Sequence, residues 1–65
     1  MTITIKECKV NDYLITMEQD KYGIYHVSAC PHIDGDLYGY PRDENYTSRL
    51  STANSYYYYL RRKYK

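Results

Sequence analysis

The sequence predicts an α+β domain: a small antiparallel sheet of three or four strands, wound as a meander, with one C-terminal helix packed on one of its faces. Three observations lead there. Runs of β-favouring residues with alternating polarity fill the chain from about residue 2 to about residue 40. One segment between two of these runs has the composition of a tight hairpin loop. Near the C-terminus, apolar residues recur at helical spacing from about residue 48 to about residue 64.

Thr2 to Val10 is the first strand. Its apolar parity starts on Ile3 and Ile5 and then moves to Cys8 and Val10, which predicts a bulge or twist near Lys6 and Glu7. Asn11-Asp12 marks a turn, and Tyr13 to Gln19 is a second strand with Tyr13, Ile15 and Met17 on one face. Asp20-Lys21-Tyr22-Gly23 is a four-residue loop on a type I turn, with Gly23 free to take positive φ. Ile24 to Cys30 is a third strand, with Tyr25, Val27 and Ala29 facing together and Pro31 ending it for want of a ladder donor. Asp34-Gly35-Asp36 is a further turn and Leu37 to Tyr40 a short fourth strand. Arg42 to Asn45 is polar and loop-like, and a helix begins near Thr47 or Ser48, either of which can cap it. Within it Leu50, Ala53, Tyr57, Leu60 and Tyr64 are spaced three, four, three and four apart and form one apolar stripe, which Tyr46 extends one turn earlier.

A chain of 65 residues is a single domain, and one that size buries only about 60% of the surface its unfolded form exposes. Its aliphatic side chains are too few for the core. The composition includes eleven Tyr and neither Phe nor Trp, so tyrosine rings must supply much of it. A buried Tyr hydroxyl needs a hydrogen-bond partner, and Tyr suits surfaces that are half covered or completed by a second molecule.

Nine basic and eight acidic residues give a formal charge of +1, which excludes an acidic DNA mimic and a dedicated polybasic binder alike. The distribution is uneven. Acids gather at Asp34, Asp36, Asp43 and Glu44, whereas Arg61, Arg62, Lys63 and Lys65 crowd the C-terminus, with no acid after Glu44. No secretory signal and no membrane span is evident, which points to a cytoplasmic protein with Cys8 and Cys30 as reduced thiols; a disulfide between them requires the first and third strands to meet.

The stretch Ser55-Tyr-Tyr-Tyr-Tyr-Leu-Arg-Arg-Lys-Tyr-Lys65 is the best lead to function. On a helix, Tyr57 points into the apolar stripe, Tyr56 lies on its flank, and Tyr58 and Tyr59 face outward. Tyr58 with Arg62, and Tyr59 with Lys63, are then either intrahelical stacking pairs or parts of a contact surface. The candidate partner-binding residues are Tyr56, Tyr58, Tyr59, Arg62, Lys63 and Lys65.

Other constellations carry less. His26, Cys30 and His32 with Cys8 nominally suit zinc, yet His26 and Cys30 are about 13 Å apart on an extended strand, too far for one tetrahedral ion. Asp34-x-Asp36 lacks the further oxygens of a calcium loop. Cys30 with His26 or His32 lacks a cleft, and so short a layer has little room for a pocket of a few hundred Å3. No catalytic residue, metal or cofactor is therefore expected. At the level of architecture only, a small sheet with a C-terminal helix resembles DNA-binding modules of integrases and related mobile-element proteins, and short phage proteins that block a host factor. The expectation is a small non-enzymatic protein-binding module, such as a phage or mobile-element accessory protein inhibiting a host defence or regulatory complex, with another protein or a second copy in a homodimer as partner. The alternative is a nucleic-acid-binding module in which Arg61, Arg62, Lys63 and Lys65 hold phosphates while Tyr58 or Tyr59 stacks on a base.

Overall fold

Alternation and turn chemistry organise the first half of the chain as expected. The computed structural model describes residues 2–33, 36, 37 and 40–65. Strands β1 (Ile3–Val10), β2 (Tyr13–Gln19) and β3 (Tyr25–Ile33) form an antiparallel meander that β4 (Asp36–Leu37) continues, β5 (Asp43–Thr47) pairs with β3, and helix α1 (Leu50–Lys63) packs on one face. Asp34 and Gly35 of the expected turn, and Tyr38 and Gly39 of the expected fourth strand, lie outside the described residues.

The β1–β2 register breaks between Thr4 and Lys6, slightly before the expected bulge. This break brings Lys6, Cys8 and Val10 onto the helix-bearing face opposite Met17, Ile15 and Tyr13 and leaves Ile3 and Ile5 exposed. Asn11, at φ 54°, makes the β1–β2 turn; Asn is among the few side chains that tolerate this region. The Asp20 loop is as expected: Gly23 N–H donates to Asp20 O at 3.1 Å, and Gly23 has φ 81°. Asp20 reinforces it, its Oδ1 accepting from the backbone N–H of Tyr22 at 2.9 Å and of Ile24 at 3.0 Å.

Pro31 does not end β3, which runs on to Ile33. His32 N–H donates toward Asp12 O, so the neighbouring Pro31 nitrogen faces the other edge of the strand. On that edge β5 pairs with residues 25–29 and β4 with residues 32 and 33, so the missing donor falls in the gap between two ladders.

Of the polar stretch expected as a loop, Asp43 to Asn45 belong to β5 and only Arg42 stays outside it. Its helix-facing residues Asp43, Asn45 and Thr47 oppose Ala29, Val27 and Tyr25, while Glu44 and Tyr46 lie on the open face. Polar side chains on both faces erase the alternation that marks a strand. The helix accordingly starts later, at Leu50. Thr47 Oγ1 accepts from Arg49 N–H at 3.1 Å, Ser48 is exposed, and Arg49 occupies the N-cap without a side-chain cap bond. Tyr46, being in β5, does not extend the helical stripe.

The core lies between α1 and the sheet. Ala53, Tyr57 and Leu60 are buried against Ile15, Met17, Val27 and Ala29, ringed by half-buried Cys8, Val10, Tyr13, Tyr25, Tyr56 and Tyr64. Leu50, first in the stripe, stays 48% exposed because it precedes the covered part of the sheet face. Cys8 faces the helix and Cys30, opposite Leu14, faces away, so no disulfide joins them.

Two substitutions test this packing. Leu60→Ala should cost about 2–5 kcal/mol in chemical denaturation, enough to unfold so small a domain. Gly23→Ala should cost about 1 kcal/mol through its positive φ alone, since an added Cβ would meet nothing closer than Gln19 Nε2 at 4.0 Å.

Candidate functional site

The four consecutive tyrosines are sorted by the 100° step of α1 into different environments. Tyr57 is 3% exposed, and its phenol is held well above the usual tyrosine range, by burial first and then by bonding to Cys8. Tyr56 is half-buried, with its ring 5.8 Å from that of Tyr59. Tyr58 and Tyr59 are 42% and 47% exposed.

One flank of the helix faces β1. There Lys9 and Val10 of the strand and Tyr58, Arg61, Arg62 and Lys65 of the helix end line an open cleft of about 420 Å3. Among the described residues its lining holds four cationic side chains and no acidic one. Lys6 closes the end nearer the helix start: its Nζ donates to Asn54 Oδ1 at 2.7 Å and lies 5.1 Å from the centroid of the Tyr58 ring. Arg61, one turn on, lies 5.4 Å from the same centroid. Tyr58 thus pairs with Lys6 and Arg61 rather than with Arg62, as the i,i+4 reading had it, and the Arg62 guanidinium is left to line the cleft. The last turn of the helix, with its carbonyl dipoles, sits beside these cations.

The other flank is committed to internal bonds. Lys63 Nζ donates to Asp43 Oδ2 at 3.0 Å, and Tyr64 Oη donates to the same oxygen. The Tyr64 bond, followed by that of Lys63, holds the Asp43 carboxyl below its ordinary value of 3.8. In return Asp43 pushes the Tyr64 phenol up to about 12 and raises the Lys63 ammonium. Tyr64 also packs against Tyr13, with ring centroids 4.2 Å apart, and its carbonyl accepts from Asn11 Nδ2 at 2.8 Å. The helix end is therefore tied to both β5 and the β1–β2 turn.

Of the six residues expected to bind a partner, Tyr58, Arg62 and Lys65 converge on the cleft. Tyr59 is exposed on the opposite flank, Tyr56 is packed beside it, and Lys63 is held by Asp43. Sequence reasoning missed Lys6 and Lys9, which only the tertiary fold brings to the helix; their β1 placement and the known bulge were the available signal.

The open face of the sheet is differently charged. Thr4, Glu7, Leu14, Thr16, Glu18, Ser28, Cys30 and Pro41 line a second cleft of about 460 Å3. Both clefts exceed what so short a layer was expected to hold, because they are surface grooves beside the elements rather than cavities within the core. On the same face His26 Nε2 lies 2.7 Å from Asp20 Oδ2, and its ring meets Tyr46 edge-on at 4.8 Å. That contact with His26, ahead of the backbone bonds from Ile24 and Tyr22, lowers the Asp20 carboxyl. His26 is thus engaged with Asp20, and Cys8 lies across the sheet from Cys30. Among the described residues no three His, Cys, Asp or Glu side chains are placed to hold one metal ion.

No protein-family model matches the chain, and no curated protein or solved structure is significantly similar to it. Among the described residues, no helix is long and apolar enough to cross a membrane.

The Asp43 node sets a pH dependence with two arms. Asp43 is depressed in the fold, so its contribution is present above pH 3.8 and is lost as pH falls through its lower folded value. Tyr64 is raised, so its contribution is complete below pH 10 and is lost as pH climbs from 10 toward about 12. Thermal unfolding followed across pH should show both losses. Asp43→Asn should cost about 1 kcal/mol at neutral pH and shallow the acid arm, leaving the part due to Asp20; Tyr64→Phe should shallow the alkaline arm.

Proposed function

We propose that this chain is a small non-enzymatic protein-binding module whose contact surface is the basic cleft between β1 and the C-terminal end of α1, and whose partner presents acidic side chains. The observation that carries this reading is the grouping of Lys9, Arg61, Arg62 and Lys65 around Tyr58 with no acidic side chain among the described residues that line the cleft. Four exposed cations gathered side by side repel one another, whereas an acidic partner satisfies them and steers the encounter. Tyr58 adds a large, rigid contact with a polar tip, and the Lys6 and Arg61 contacts hold its ring in place. An accessory or inhibitory role, such as that of a phage or mobile-element protein acting on a host defence or regulatory complex, suits a surface this compact.

The same cations support a second reading, in which the cleft tracks a nucleic-acid backbone. Against it stand the net charge of +1 and the Glu7, Glu18 and Glu44 carboxylates on the open face of the same thin sheet, which leave the domain without the basic excess of a dedicated nucleic-acid binder.

Fluorescence anisotropy with labelled polyglutamate, a mixed-sequence duplex and a single strand, at low and moderate salt, separates the two. Polyglutamate should bind more tightly than either oligonucleotide, and Arg61→Glu with Arg62→Glu should weaken it about tenfold or more. Tighter binding of an oligonucleotide, with steep salt dependence, would replace this reading by the second. No binding of any probe at low salt would remove both.

A further inference from the structure

The cleft is only half of a larger vacancy beside the sheet. α1 rests on β2, β3 and β5, and β1 projects beyond it. Among the described residues no strand pairs with the outer edge of β1. Alternate N–H and C=O groups of β1 therefore point away from β2 without a ladder partner, a standing template for another strand. After the register break at Ile5, pairing with β2 is regular from Lys6 to Val10, so this part of the edge has the geometry that an added strand needs.

The geometry points to one occupant: an extended peptide segment with acidic residues at alternate positions, which adds to β1 between Lys6 and Val10 and directs its carboxylates over the helix-bearing face. This rests on the protein-binding reading of the cleft and specifies how the partner is held. Side chains of a strand alternate between faces. Every second residue of an added strand would therefore lie beside Lys6, Cys8 and Val10, facing Tyr58, Arg61, Arg62 and Lys65. Those positions favour Glu or Asp. The remaining residues would flank Glu7 on the open face, where small or β-branched residues fit.

Two competing occupants are disfavoured on the same geometry. A second copy pairing β1 to β1 in the antiparallel sense has its two-fold axis perpendicular to the sheet, which sets both helices on one face and drives two sets of Arg61, Arg62 and Lys65 together. A DNA backbone offers acceptors only and RNA adds one 2′-hydroxyl per nucleotide, whereas the edge of β1 presents donors and acceptors in turn at peptide spacing, as another peptide does.

A labelled peptide of about eight residues, alternating Glu and Val, tests this with the full chain. It should bind and protect β1 amides from hydrogen exchange. The same peptide with N-methyl groups on the amides of one edge keeps its charge but cannot pair on that edge, and together with its counterpart methylated on the opposite edge it should show about a tenfold loss in whichever form blocks pairing. Arg61→Glu with Lys65→Glu, both exposed sites, should weaken the unmodified peptide about tenfold as well; unchanged circular dichroism would show that the variant is folded. Equal binding of all three peptides, without protection of β1, would overturn strand addition while leaving an acidic partner in the cleft. Failure of every peptide to bind would overturn both.

Discussion

The seating of α1 on the sheet through Ala53, Tyr57 and Leu60 is the constraint on which the remaining structure depends. Among the described residues only Ile15, Met17, Val27 and Ala29 are fully buried opposite them, a small core for a sheet of five strands and a helix. Half-buried tyrosines widen it: Tyr13, Tyr25, Tyr56 and Tyr64 cover the rim with their rings and keep their hydroxyls within reach of water or of a carboxylate. Phe would fill the same volume but could not donate to Asp43 as Tyr64 does. The absence of Phe and Trp is thus matched to a core that is mostly boundary.

Once seated, the helix divides its polar groups between two flanks, and the division explains how a chain of net charge +1 can carry a strongly basic surface. Asp43 neutralises Lys63 on one flank, whereas Arg61, Arg62 and Lys65 on the other are joined by Lys9 from β1. Glu7, Glu18 and Glu44 are segregated onto the far face of the sheet. Composition averages these regions to near neutrality; the fold separates them by the thickness of one sheet.

The elements legible in the sequence were those whose local signal agrees with their tertiary role. Tyr13 to Gln19 alternates because one of its faces is buried, and Gly23 stands where the loop needs positive φ. The spacing of Ala53, Tyr57 and Leu60 marked the buried side of α1 for the same reason. β5 was illegible because an edge strand with Asp43 and Asn45 on its inner face carries no apolar alternation. Pro31 misled because its effect depends on which edge its nitrogen faces and whether a neighbour is there, neither of which is a local property. The candidate site was half legible: the basic run and the outward tyrosines were visible, but Lys6 and Lys9 join them only through the register that the bulge imposes, and Asp43 withdraws Lys63 from the surface.

The bonds that fasten the helix end reach across almost the whole sequence. Lys6 bonds to Asn54 over 48 residues and Asn11 to Tyr64 over 53. During vectorial synthesis the first hairpin is complete long before residues 53–64 exist, and until then the apolar side of Ile15, Met17, Val27 and Ala29 has nothing to cover it. Closing the core therefore waits on the most distant contacts, so it is a late, collective event. In that interval the nascent meander resembles an adhesive strip more than a domain, and the Lys6 and Lys9 charges along its rim are what stand between it and its neighbours.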